Sequence, residues 1–243
     1  MRDASSEIRL VDYWYISLCV TVGHMNARVN DEPASVSLTE QAYAVLRDRL
    51  VMLEIKPGEP INEDRLRTEL GVGRTPIREA LKRLEQERLV VAFPRRGTFA
   101  TDVNISDLSH ISEVRRTLEP LAAAAAAERA TAQDRTALTD LRSRLDTAAP
   151  TGDNTELLRT DVGVHRAIYG CVHNPFLEDT LISYDNLATR IWCVFLPRLS
   201  GMAGHVDEHV PLLTAIIEGD AKKASELASQ HVIGFEQAIR ALI

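Results

Sequence analysis

Four polar residues in the second half of the chain have the types and spacing of metal ligands. Asp161 and His165 are four residues apart in RTDVGVHRAIYG, a segment with helical spacing, so their side chains lie on one helical face. His209 and His231 follow in the last two helical segments, and apolar residues flank all four positions. Three imidazoles and one carboxylate suit a divalent transition metal ion, with zinc and nickel as the candidates.

Two other interpretations of these four residues stay open at this point. A single histidine is more often a hydrogen-bonded core or surface residue than a ligand, so the cluster could be a structural network without metal. A bound metal with open positions could also activate water as a nucleophile, which would make the chain a helical metalloenzyme. The sequence offers no assignable general base beside the four residues, and we predict that the chain is not an enzyme.

Charge is distributed unevenly along the chain, whose net charge of −7 would by itself argue against binding to nucleic acid. Residues 37–100, however, hold 12 Lys and Arg against 10 Asp and Glu, and residues 74–96 hold 7 against 3. Ordinary salt screens the attraction of phosphates beyond about 10 Å, so a concentrated basic patch matters more than the global sum. The N-terminal part therefore carries a candidate DNA-binding surface.

The elements around this basic patch are typical of a winged helix-turn-helix. A first helix begins near Ser37 and ends before PGEPIN, and Asn62 caps a short second helix that Gly71 terminates. The third helix begins at RTP, where proline fits the first turn. Two short β-rich runs then flank PRRG, residues 94–97, which predicts a hairpin or wing.

The third helix and the wing carry the candidate DNA contacts. Arg74 and Arg78 are four residues apart, so they project from one face, and arginine can bond a guanine edge bidentately in the major groove. The first-turn N–H groups of the same helix can meet phosphate. The arginines at the wing tip could enter the adjacent minor groove or contact its backbone. The full predicted set is Arg65, Arg74, Thr75, Arg78, Arg95, Arg96 and Gly97.

The string GRTPIREALKRLEQERLVVAFPRRGTFA, residues 73–100, resembles the winged helix-turn-helix signature of the GntR family of bacterial transcription regulators. One departure is Gly73, where the family commonly has serine, and another is Asp64, which is arginine in some members. The resemblance implies a sequence-specific regulator that binds double-stranded operator DNA as a homodimer. Repression relieved by an effector is the commoner behaviour of the family.

From Leu108 to the end, the chain resembles the metal-containing branch of the FCD domain, the helical effector domain of FadR-like members of this family. The resemblance makes Asp161, His165, His209 and His231 the four metal ligands.

It also implies a small carboxylate effector that meets both the metal and an arginine. EVRRTLEP, residues 113–120, is similar to the motif that places an arginine in the ligand cavity, so Arg115 is the candidate contact. Arg190 is a second candidate, with a surface salt bridge as its alternative role. His173 and His205 are predicted to be ordinary polar residues.

Composition and patterning predict a mostly α protein, because aromatic residues make up only 5% of the chain while alanine and leucine are abundant. We expect three parts: an N-terminal extension over residues 1–36, a winged helix-turn-helix domain over 37–103, and an all-α helical-bundle domain for effector binding and dimerisation over 104–243. Three cysteines, in neither a zinc-ribbon nor a disulfide pattern, favour a reducing cytoplasm. The apolar run at 13–20 is shorter than the roughly 20 residues that span a bilayer, so no membrane partner is expected.

Deleting residues 1–24 should leave folding and DNA binding unchanged, because this segment lacks hydrophobic periodicity and precedes the first capping signal. For the same reason we consider Met25 as an alternative start of translation. Melting followed by circular dichroism checks the expectation. A midpoint lowered by more than a few degrees would show that this arm packs on the folded body.

Overall fold

The structure is a computed structural model that describes residues 36–147, 153–199 and 201–243. The predictions for residues 1–35, including the start at Met25, lie outside the described residues. The N-terminal domain consists of α1 (Leu38–Val51), α2 (Glu63–Leu70), α3 (Arg74–Gln86), β1 (Val90–Phe93) and β2 (Gly97–Ala100).

Local capping sets the helix boundaries of this domain as the sequence predicts. The Ser37 side chain accepts a hydrogen bond from the backbone N–H of Glu40, and the Asn62 side chain accepts one from Arg65. Gly71 ends α2 in the left-handed conformation, at φ +64°. Gly73 precedes α3 and supplies no capping hydrogen bond, which is the physical consequence of glycine in place of the family's serine.

The predicted wing is an antiparallel hairpin in which Val90 pairs with Ala100 and Phe93 with Gly97. Arg95 and Gly97 both have positive φ, at +64° and +96°, so the chain reverses within the three residues between the strands. Both residues thereby sit at the exposed tip of the wing.

The second domain is entirely helical in its described part. A 3₁₀ turn (Ile105–Asp107) leads into the first long helix, and another (Leu196–Arg198) follows the fourth. The helices are α4 (Leu108–Arg129), α5 (Ala132–Thr147), α6 (Asn154–Gly170), α7 (Pro175–Phe195), α8 (Met202–Asp207), α9 (His209–Glu218) and α10 (Ala221–Arg240). The mostly α fold class is confirmed.

One segment differs from the sequence-based expectation of a single helix over HVDEHVPLLTAIIEGD. The structure has two helices there, α8 and α9, with Glu208 between them. Pro211 explains the break, because in a continuous helix its ring would meet the carbonyl of Asp207 four residues earlier. The break turns His209 onto the first position of a new helix.

The alanine-rich α4 lies at the centre of the helical domain and packs most extensively against α10. Ala122 and Ala126 are fully buried there, because small side chains let neighbouring helices approach closely.

Among the described residues no helix combines the length and apolar character that crossing a membrane requires.

Polar contacts join the two domains. Arg166 on α6 pairs with Asp48 on α1 at 3.2 Å, and Arg159 pairs with Glu54 just beyond α1. Arg190 on α7 donates hydrogen bonds to Thr101 and to the carbonyl of Leu89, at the base of the wing. The helical domain therefore holds the DNA-binding domain through α6 and α7.

Candidate metal centre and DNA-binding surface

The four candidate metal ligands converge from three helices. Asp161 and His165 lie on α6, His209 opens α9, and His231 lies midway along α10. All four are buried, with at most 6% of each residue exposed. One donor atom from each lies within 4.8 Å of the others. Groups that are up to 70 residues apart in sequence thus form one compact cluster.

The outer nitrogens of the three imidazoles are each engaged by a neighbour. The Nδ1 atoms meet the Tyr169 hydroxyl (3.1 Å from His165), the Val206 carbonyl (3.1 Å from His209) and the Glu208 carboxylate (2.9 Å from His231). For His209 and His231, the carbonyl or carboxylate partner keeps the proton on Nδ1 and leaves Nε2 with a lone pair for a ligand. The inner faces are correspondingly close, with 3.1 Å between Nε2 of His165 and Nε2 of His231.

Two inward-facing atoms show that the cluster fits a cation. Asp161 Oδ1 and His209 Nε2 are buried without a hydrogen-bond partner in the described structure. They lie 3.7 Å apart, too far for a hydrogen bond between them. Buried polar atoms are rarely left unsatisfied. An ion between the four donors would satisfy both atoms.

Electrostatics favour the same conclusion. Burial lowers the pKa of His209 to about 3, and burial also lowers the pKa of His231 well below its usual value, so both imidazoles are neutral, as metal ligation requires. Around them lie three buried carboxylates, Asp161, Glu119 and Asp185, against the single guanidinium of Arg115. Burial raises the pKa of Asp185, while Arg115 acts in the opposite direction and Glu119 and Asp161 add to the increase. A divalent cation would compensate this excess of negative charge.

Arg115 lies next to the cluster but already has internal partners. Its guanidinium pairs with Glu119 and lies 3.4 Å from Asp185, and 2% of the residue is exposed. Glu119 in turn lies 3.4 Å from Nδ1 of His165. The structure thus links Arg115 to His165, a candidate metal ligand, through one carboxylate.

Two other residues differ from the sequence-based picture. In the described structure Arg190 is buried and bonds to Thr101 and Leu89 at the domain junction, so it does not take part in a surface salt bridge. Its contacts with the N-terminal domain cannot be predicted from the spacing of apolar residues along α7.

His205 was expected to be an ordinary polar residue, yet its Nε2 lies 3.6 Å from Asp161 Oδ1 and its ring stacks on His231. Its spacing of four residues from His209 was the available signal.

The predicted DNA contacts lie on an exposed face of the N-terminal domain. The side chains of Arg74 and Arg78 are 64% and 65% exposed. Each forms an ion pair with an acid on α2: Arg74 lies 3.4 Å from Asp64, and Arg78 lies 3.1 Å from Glu63. Arg65 pairs likewise with Glu69. Exposed pairs of this kind contribute about 0–1 kcal/mol, so phosphates and base edges can displace them.

The remaining predicted contacts are also accessible. Thr75, Arg95, Arg96 and Gly97 are exposed, and the Arg96 guanidinium lies over the Phe93 ring at 5.6 Å. The recognition helix and the wing tip therefore both carry exposed basic side chains, which we predict to contact a duplex.

These features define a winged-helix DNA-binding protein with a helical regulatory domain. Residues 38–100 match the family described as bacterial regulatory proteins, gntR family, and residues 110–234 match the FCD domain. The chain belongs to the GntR family of bacterial transcription regulators and carries the FCD effector domain. It is a transcription regulator and not an enzyme, which removes the metalloenzyme interpretation.

Known relatives agree with this assignment. The chain is 30% identical over 206 residues to the uncharacterized HTH-type transcriptional regulator YdhC of Bacillus subtilis, covering 84% of this chain and 88% of YdhC. It is 29% identical over 216 residues to the galactonate operon transcriptional repressor of Escherichia coli, covering 80% of this chain and 93% of the repressor. The fold is similar to that of Escherichia coli McbR/YncC, with a TM-score of 0.73 at 24% identity, over 85% of this chain and 99% of that one.

Arg78→Ala should abolish sequence-specific DNA binding, because each bidentate base contact is worth about 1–3 kcal/mol and a dimer loses two. Arg83→Ala is the matched control: it removes the same charge from the same helix, but Arg83 lies over the Tyr43 ring on the side facing α1. The DNA affinity of both variants is measured by fluorescence anisotropy titration at fixed salt. The DNA is a binding site selected from a random-sequence library with the parent protein. Unchanged affinity and base preference in Arg78→Ala would contradict this orientation of α3.

Proposed function

We propose that this regulator is a homodimeric repressor whose affinity for operator DNA is controlled by a small carboxylate effector at a metal centre in the FCD domain. The observation that carries the proposal is the convergence of four buried donors, two of them without a hydrogen-bond partner in the described structure. The repressor role is supported by the galactonate operon repressor among the relatives.

Asp161, His165, His209 and His231 would hold the ion, with zinc and nickel as the candidates by donor type. When bound, the metal supplies Lewis-acid positions that accept carboxylate oxygens. The protein's own contribution is to fix the imidazoles: Tyr169, Val206 and Glu208 hold the Nδ1 atoms so that each Nε2 faces the cluster.

Arg115 is the proposed arginine contact of the effector. An incoming carboxylate would compete with Asp185, whose separation of 3.4 Å from the guanidinium leaves that pair the weaker of the two that Arg115 makes. Glu119 would keep its pair and hold the guanidinium in place. Arg115→Lys keeps the charge and loses the fork, so it is the substitution that tests this contact without leaving buried carboxylates uncompensated.

Helix α6 provides the route from the metal centre to the DNA. His165 faces the cluster, and the next residue, Arg166, reaches both Asp48 on α1 and Asn186 on α7 at 3.2 Å. Burial alone would raise the pKa of Asp48, but Arg47 and Arg166 hold it below its usual value. A ligand that shifts α6 would therefore shift the equilibrium between orientations of the winged helix, provided that it binds those orientations unequally.

The metal centre is tested by elemental analysis of the purified protein. We expect about one divalent ion per chain in the parent and a near-complete loss in His209→Ala, because the site loses one of its four ligands and the others stay unsatisfied. His173→Ala is the matched control, since His173 is half exposed and pairs with Asp134 outside the cluster.

A parent protein without metal after saturation with zinc or nickel would contradict the proposal, as would metal retained in His209→Ala. Either result would leave the cluster as a structural hydrogen-bond network.

The α6 route predicts that Asp48→Asn and Arg166→Met reduce coupling between metal and DNA. We compare the DNA affinity of zinc-loaded and chelator-treated protein. The ratio of the two affinities should fall toward one in both variants while metal content stays at the parent level. Glu226→Gln, which removes an exposed partner of Lys222, is the control and should keep the parent ratio. A parent-like ratio in both α6-route variants would refute this route.

A further inference from the structure

A second cavity lies at the junction of the two domains, away from the metal centre. Its volume is about 470 Å³, within the range of sites for small ligands. One wall comes from the end of the winged helix domain, with Arg88 and Thr101. The opposite wall comes from α4 and α7, where Ile111 and Ile191 form part of an apolar surface. None of the four metal-ligand residues lines this cavity.

Arg190 lines the cavity and carries a buried guanidinium. Only 2% of the residue is exposed, and its hydrogen bonds go to neutral oxygens, the Thr101 hydroxyl at 2.8 Å and the Leu89 carbonyl at 3.3 Å. Within the described part of the chain it forms no ion pair, and its Nε–H has no acceptor. Burial lowers its pKa to about 10, although the nearby carboxylate of Asp102 acts in the opposite direction.

Arg115 is an equally buried arginine whose charge is paired within the chain. It too is 2% exposed, but two carboxylates, Glu119 and Asp185, lie against its guanidinium. A buried charge is costly unless it is paired. The missing partner of Arg190 therefore points to an anion that is not part of the described chain.

The rest of the cavity indicates the kind of anion. Arg88 lines the same space, is exposed, and has no ion pair among the described residues. Asn104 and Tyr184 add amide and hydroxyl groups, and the carboxylates of Asp102 and Asp107 can accept hydrogen bonds from hydroxyls of a ligand. A ligand with one anionic group and neighbouring hydroxyls would match both the two arginines and these polar groups.

We propose that the domain junction binds a small hydroxylated acid, a carboxylate or phosphate ester, whose anionic group meets Arg190 and Arg88. This site is separate from the metal centre and does not depend on it. Because its walls come from both domains, the bound acid would contact the winged helix domain and the helical domain at once. The regulator would thus have two ligand sites, one inside the FCD domain and one at its junction with the DNA-binding domain.

Calorimetric titration of the full chain tests the proposal with two probes, glycerate and glycerol 3-phosphate, at ionic strength held constant with chloride. Glycerol, which has the hydroxyls without the anion, is the negative control. We expect saturable binding of at least one acid and none of glycerol. Which acid binds decides between the carboxylate and the phosphate as the anionic group.

Variants then locate the binding. Arg88→Gln should weaken it at least about tenfold, because a charge-assisted contact is lost from an exposed side chain that the fold does not need. Arg190→Lys should also weaken it, with folding checked by circular dichroism. Arg67→Gln, the same change elsewhere on the N-terminal domain, should bind as the parent does.

His209→Ala separates this site from the metal centre and should bind the acid with parent affinity. Binding of neither acid to the parent, parent-like affinity in Arg88→Gln and Arg190→Lys, or loss of binding in His209→Ala would each overturn the junction site. Failure of the metal measurement alone would leave it standing.

Discussion

The geometry of α6 constrains most of what this regulator can do. Successive residues on a helix point in directions about 100° apart, so His165 and Arg166 cannot face the same neighbour. The first faces the donor cluster, and the second crosses to Asp48 in the DNA-binding domain. The candidate metal cluster and an ion pair between the domains are therefore attached to the same helix.

Three buried arginines each connect different parts of the structure. Arg115 sits inside the FCD domain between two carboxylates, and Arg166 joins α6 to α1. Arg190 joins α7 to the base of the wing through neutral oxygens alone. A planar guanidinium with five donors can satisfy carbonyls and carboxylates at once, which suits it to junctions where helices from two domains meet.

Much of this could be predicted from sequence where the determinants are local. Helix caps, the wing turn and the spacing of Asp161 and His165 each depend on a few consecutive residues, and the structure has them as expected. Whether the four metal residues ligate an ion stays a prediction, although the structure brings them together. Contacts between distant segments could not be predicted from sequence. Arg190 and Thr101 are 89 residues apart, and no hydrophobic periodicity indicates that they form a hydrogen bond.

The break between α8 and α9 has a local cause that the apolar pattern does not show. The apolar pattern ran through it, and only the clash of Pro211 with a preceding carbonyl decides where the helix ends. His205 lies just before this break and His209 just after it, so their sequence spacing alone did not fix how their rings meet. In the structure both rings lie against Asp161.

Glu63 and Asp64, the α2 acids that face the recognition arginines, bear on how the protein finds its site. Any duplex must displace these carboxylates before it reaches Arg74 and Arg78, and random sequence returns only phosphate contacts in exchange. A matching sequence also returns hydrogen bonds from base edges. Displacing the acids therefore costs every duplex the same small free energy, and only a matching sequence recovers that cost through hydrogen bonds from its base edges.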